Sequence, residues 1–220
     1  MRKITVTGKG KLQVKPELTE VKLIIKGLEA EYYQALAKSV DETNVVKMIL
    51  INNGLPKESL KTQTFDVYKK TKQIKDQYGN YHDKFLGYEY DHVIAFKFEN
   101  NNELLGKLLY EISKLKVNPE VRVKYLIKDF EKAKNDLLAA AVKDSMTKAK
   151  IMADASNVEL GEIESLDYSW TSIRYETNDF RVMNKCSMDL CAVDATSFDI
   201  DVEPDDIDLA DTVTVVWNIK

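Results

Sequence analysis

Between Asp129 and Gly161 the chain reads DFEKAKNDLLAAAVKDSMTKAKIMADASNVELG. No proline interrupts this stretch, and no glycine occurs before its end. Ala, Leu, Lys, Glu and Met dominate it, and such residues lose little freedom in a helix. Leu138, Val142, Met146, Ala149 and Ala153 recur at spacings of three and four and predict one apolar stripe. Asp129 is placed to cap the first turn. Gly161 lies just past the expected end. At ~1.5 Å per residue the helix reaches roughly 40 Å, enough to cross a small domain. Its many alanines suit close packing against a sheet, and its polar groups read as solvated charges. It is a scaffold element, and the fold must be arranged around it.

Strands surround this helix in the pattern. Ile4 to Lys26 reads as one long or two short strands of mostly period two, interrupted by Gly8, Gly10 and Pro16. The interruption predicts a bend or bulge. Leu28 to Asn53 reads as a helix carrying Tyr33, Leu36, Val40, Val45, Met48 and Ile49, with a phase shift near Thr43 and a stop at Asn53-Gly54. Leu60–Lys72 and Leu86–Phe98 read as a hairpin. In its second strand Tyr88, Tyr90, His92, Ile94, Phe96 and Phe98 share a face. The connection KQIKDQYGNYHDK is polar, carries Gly79-Asn80 and is expected to project into solvent. A helix over Asn101–Leu115 and a strand over Val121–Ile127 follow. The order from Val21 to Ile127 is that of a ferredoxin-like βαββαβ unit. After the long helix, Ile163–Trp170 reads as a strand. Val213, Val215, Trp217 and Ile219 alternate as a closing strand that needs a partner, with the N-terminal strand a candidate. The expected fold class is therefore α+β: an antiparallel sheet in ferredoxin-like order, a long additional helix packed on a sheet, and C-terminal strands.

Composition bounds the function. With 44% hydrophobic and 31% charged residues in a chain of 220, a sizeable core is possible and global disorder is not expected. The net charge of −4 argues against a protein that coats nucleic acid. No apolar run approaches a membrane span, and the N-terminus lacks a signal-peptide pattern, so a cytoplasmic location is the expectation. Cys186 and Cys191 are too few for a disulfide framework and read as reduced structural thiols.

The candidate chemistry is sparse. Gly8–Lys11, GKGK, lacks the spacing of a phosphate loop and reads as a strand bend. His92 sits at an aromatic strand position without a partner visible in the sequence, and reads as a packed histidine; His82 reads as an exposed loop residue. The acidic run with Asp199, Asp201, Asp205, Asp206 and Asp208 lacks the glycine and terminal glutamate of a calcium loop and reads as solvated. Tyr78, Tyr81, Tyr88 and Tyr90 lie near Lys72, Lys75 and Lys84, a pattern that also suits stacking on single-stranded nucleic acid. No nucleophile or metalloprotease motif is present in the sequence. Catalytic, cofactor-binding and metal residues are therefore all assigned as none.

Several stretches together resemble the SIMPL domain family, a domain of unknown function. They are Gly8, Gly10, Val14, Pro16 and Glu17; Asn53-Gly54-Leu55 followed by Lys61-Thr62-Gln63-Thr64 and Tyr68; Ala139-Ala140-Ala141-Val142, Asp144 and Lys148-Ala149; Leu160-Gly161-Glu162-Ile163; and Glu203-Pro204-Asp205 through Val213-Thr214-Val215. Glu17 stands where the family usually has Asp, and Asp205 where Gly is common. The family's Gly before the strand at Val121 is replaced near Lys116–Asn118, and many bacterial relatives are exported. The resemblance implies an α+β domain over 1–220, with a core of about 1–165 and 202–220 and a divergent insert of about 171–201. It also implies homo-oligomerisation, with no cofactor and no catalytic residues to carry over. The expected function is a non-enzymatic structural or binding protein that self-associates. The alternatives are a small-ligand binder or enzyme with a pocket near the Tyr/His strand, and a single-stranded nucleic-acid binder.

Overall fold

The structure is a computed structural model that describes residues 2–168, 174–175, 180–182 and 204–220. The elements run β1 (Arg2–Val14), β2 (Leu18–Glu29), α1 (Tyr32–Asn52), β3 (Lys61–Lys75), β4 (Tyr81–Glu99), α2 (Asn102–Ser113), β5 (Glu120–Leu126), α3 (Phe130–Ala155), β6 (Leu160–Asp167), β7 (Arg174–Tyr175), β8 (Phe180–Val182) and β9 (Ile207–Ile219). The class is α+β. Packing groups the chain into two compact units, one of Met1–Glu17, Leu126–Asn178 and Pro204–Lys220, the other of Leu18–Tyr125 and Asp179–Glu203. Most of the expected insert, together with Cys186, Cys191, Asp199 and Asp201, lies outside the described residues.

In the second unit the strand order is β3-β4-β2-β5-β8. β4 is antiparallel to both β2 and β3. β2 and β3 therefore run parallel on either side of it, joined by α1, which is a split βαβ arrangement compatible with the ferredoxin-like order. The core gathers Val21, Leu23 and Ile25 of β2, Ile94 and Phe96 of β4, Leu105 and Leu108 of α2, and Val121 and Val123 of β5. The even-numbered face of β4 expected from the alternation does point into this core. The Asn101 side chain caps α2 by accepting from the Leu104 N–H at 2.9 Å.

α1 differs from the sequence expectation. Leu28 and Glu29 still belong to β2, and the buried side of the helix is Ala35, Ser39, Thr43, Val46 and Leu50. Tyr33, Val40, Val45 and Met48, chosen as its apolar stripe, are exposed. The helix has apolar residues on both sides, so counting apolar spacing picked the outer one. Its stop is as expected: Leu55 N–H bonds the Leu50 carbonyl, Gly54 N–H bonds that of Ile51, and Gly54 has φ +97°.

In the first unit the order is β1-β9-β6, with β7 also on β9. β1 and β9 pair without interruption from Arg2↔Ile219 to Val14↔Ile207. The N-terminal run is thus two strands in different sheets, and the expected pairing of the two chain ends is present. No bulge occurs at Gly8 or Gly10. They are there because α3 crosses the strand at backbone distance. A Cβ on Gly8 would lie 2.1 Å from the Ala141 carbonyl oxygen, and one on Gly10 would lie 2.2 Å from that of Leu137. The same contact moves the helix stripe. Its buried residues are Ala133, Leu137, Ala141, Ser145, Ala149 and Ala153, while Met146, one of the expected stripe, is exposed. Apart from Leu137, these positions hold small side chains, which let the helix come close to the glycines.

Asp129 caps α3 as expected, accepting from the Lys132 N–H at 2.9 Å. The C-terminal stop comes earlier than Gly161. Asn157 takes φ 54°, its N–H bonds the Asp154 carbonyl, and the Val158 N–H bonds that of Ala153. Gly161 instead lies in β6 beside the Asn218 carbonyl, 2.9 Å from an added Cβ. The polar connection of the hairpin is also shorter than expected: β3 and β4 stay paired to Lys75↔Tyr81, leaving only a tight turn. There Asp76 accepts from the Tyr78 and Asn80 N–H groups at 2.8 and 2.9 Å.

Gly8→Ala tests the helix seat. The Cβ clashes with backbone rather than with a flexible side chain, so it is expected to cost about 3 kcal/mol or more. Lys11→Ala on the outer face of the same strand is expected to stay within about 0.5 kcal/mol. Urea denaturation of both variants measures the difference.

Candidate functional site

Three buried polar clusters stand out, since buried polar groups must be satisfied by partners. The first surrounds His92 on β4, which is 8% exposed. Thr43 Oγ1 lies 2.8 Å and Ser39 Oγ 3.3 Å from Nδ1, and Thr62 Oγ1 lies 3.3 Å from Nε2. Phe65 packs edge-on against the ring at 5.0 Å. Ser39 and Thr43 are one helical turn apart, so α1 offers both to the same nitrogen. Thr62 reaches the other from β3, at the register shift between Thr62 and Thr64. Burial, and then the positive charge of Lys47, push the His92 pKa down.

The second cluster is one pleat along. Tyr90 is fully buried, and its hydroxyl donates to Glu42 Oε2 at 2.6 Å. Burial and that carboxylate raise its pKa strongly. Gly27, directly opposite Tyr90, leaves room for the ring, because a Cβ there would lie 2.2 Å from the hydroxyl oxygen. The third is in the other unit. Asp211 is 3% exposed on the inner side of β9. It accepts from the Tyr168 hydroxyl at 2.7 Å and from the Thr212 N–H at 2.7 Å. Burial and the Asp211 carboxylate push Tyr168 up to about 12.

The residues singled out in the sequence do not converge. Tyr78, Tyr81 and His82 stand exposed on the β3–β4 ribbon, with Lys75 Nζ 5.7 Å from the Tyr81 ring centre. Tyr88 contacts Tyr32 and Phe85 edge-on. Of the acidic run, Asp205, Asp206 and Asp208 are exposed while Asp211 is buried. No group of three His, Cys, Asp or Glu side chains able to hold a metal occurs among the described residues. No helix among them is long and apolar enough to cross a membrane. Sequence reasoning missed Ser39, Thr43 and Thr62 as partners of His92. The i, i+4 hydroxyl pair was the available signal, but it carries meaning only once α1 is seen to bury that side.

Several of the stretches that carried the family resemblance turn out to be packing devices. Gly8 and Gly10 seat α3. Asp144 Oδ2 accepts the Lys9 N–H at 2.7 Å, Lys148 Nζ donates to the Thr7 carbonyl at 3.2 Å, and the two side chains pair at 2.8 Å. Together they cover the open side of β1. The pair and the Lys9 N–H hold the Asp144 carboxyl below its ordinary range. Glu17 Oε2 accepts the Lys128 N–H at 3.3 Å, and the Glu17 N–H bonds the Leu126 carbonyl.

Fold and packing thus define an α+β protein whose signature residues hold helices to strands. The family described as SIMPL, protein of unknown function (DUF541), matches residues 4–217, and the chain belongs to it. No curated protein matches it.

His92 yields a pH prediction. Its folded pKa lies below the unfolded value of 6.5, so the unfolded chain binds the proton more readily. The stabilisation is complete above that value and is lost as pH falls through the folded pKa. Denaturation midpoints are expected to fall between pH 7.5 and 5 more steeply in the wild type than in His92→Gln.

Proposed function

We propose that the chain is a non-enzymatic structural or binding protein that acts by self-association. One observation carries this reading. The outer side of α1 presents Tyr33, Val40, Met48 and Ile51 to solvent, with Tyr33 76% and Met48 63% exposed. These residues recur at helical spacing, so they form a row rather than scattered singles. The core of the unit is complete without them. An exposed apolar row of this kind, interrupted by Asn44, suits a protein contact. The buried polar clusters support the same reading, because each is occupied in holding elements together.

Size-exclusion chromatography with light scattering across protein concentration tests it. The mass is expected to rise above that of one chain. Val40→Glu with Met48→Glu is expected to lower it at equal concentration, by placing carboxylates on a surface that must lose its water. A single-chain mass at the highest concentration reached would overturn the reading.

A further inference from the structure

Among the described residues, three strands of eight or more residues have one side without a strand neighbour: β1, β3 and β6. β1 is closed by Asp144 and Lys148 of α3. No such cover lies on β3 or β6 among the described residues. Open strand edges are templates for pairing, and monomeric proteins guard them.

The two open edges carry opposite charge. β3 holds Lys61, Lys69, Lys70, Lys72 and Lys75 against Asp66 alone. Glu159 and β6 hold Glu162, Glu164 and Asp167 with no Lys or Arg. Each edge also exposes large apolar side chains: Phe65 and Tyr68 on β3, Ile163 and Leu166 on β6. An edge guarded by one sign of charge repels its own copy and attracts the other edge. The spacing agrees as well. Lys70, Lys72 and Lys75 step by two and then three residues, as do Glu162, Glu164 and Asp167. A parallel alignment therefore puts three cations opposite three carboxylates. Two of these groups already have partners within the chain, Lys70 with Glu89 at 2.7 Å and Glu164 with Lys3. Lys72 and Lys75 reach no carboxylate within the chain among the described residues. The register within each sheet shifts in the same stretches, between Lys70 and Thr71 and around Ile163.

We infer that the partner of the basic β3 edge is the acidic β6 edge of a second copy of this chain. This rests on the self-association reading and adds to it a contact distinct from the α1 row. Because the two patches differ, the contact is head-to-tail, and each copy keeps one free edge for the next. Main-chain hydrogen bonds supply the adhesion and the charges choose the partner.

Two charge-reversed variants test it. One carries Lys72→Glu and Lys75→Glu, the other Glu162→Lys and Asp167→Lys. All four positions are exposed, and circular dichroism checks that both variants fold. Each alone is expected to associate at least about tenfold more weakly than the wild type, and high salt is expected to weaken the wild type too. Mixed together, the variants are expected to recover assembly by alternating, since the unaltered β3 of one meets the unaltered β6 of the other and the two reversed edges are again opposite in charge. All four substitutions in one chain are expected to restore assembly. Wild-type-like assembly of both variants would overturn this contact while leaving self-association standing. A wild type that stays monomeric would overturn both.

Discussion

The backbone of α3 lies directly on the backbone of β1, and the first unit is built around that approach. Gly8 and Gly10 make it possible, and the carbonyls of Ala141 and Leu137 occupy the space where their Cβ atoms would be. Once the helix is that close, Asp144 and Lys148 reach the main chain of an edge strand that would otherwise be open. The same approach favours small side chains on most of the helix underside: Ala141, Ser145 and Ala149 are buried beside Leu137, while Met146 faces out. Glycine spacing, helix phase and edge protection are consequences of one distance.

The second unit solves a different problem. α1 packs a partly polar side, Ser39 and Thr43 included, against a sheet that carries His92. Hydroxyls beside a neutral imidazole satisfy both ring nitrogens without burying a charge, which costs less than an ion pair would at that depth. Glu42 and Tyr90 repeat the arrangement one pleat away. With Ser39 and Thr43 inside beside Ala35, Val46 and Leu50, several apolar residues of α1 remain outside, and they form the exposed row on which the proposed function rests.

Much of the fold was legible in the sequence because it depends on local periodicity. The alternation in β4 and β9, the Asn53-Gly54 stop and the Asp129 cap all appear where their residues place them. Readings that needed the identity of the packing partner mostly failed, although the closing strand does pair with the N-terminal one as expected. The glycines at 8 and 10 were read as a bend because a strand glycine has two uses, and only the helix above shows which applies. In α1 and in the first half of α3 the stripe was read one or two residues out of phase, because apolar residues on two sides leave the buried side undetermined; Ala149 and Ala153 are buried as expected. His92 was read as packed, which is right, but its hydroxyl partners come from α1 and β3, distant in sequence.

What the sequence determined alone was most of the elements and their order, the class of fold and the family, since propensity, periodicity and motif order are carried by neighbouring residues. What only the tertiary structure decided was which side of each helix is inside, which strand edges are closed, and how the buried polar groups are satisfied. Those depend on distances between segments far apart in the chain. A glycine, a serine or an aspartate acquires its role there from whatever comes to lie against it.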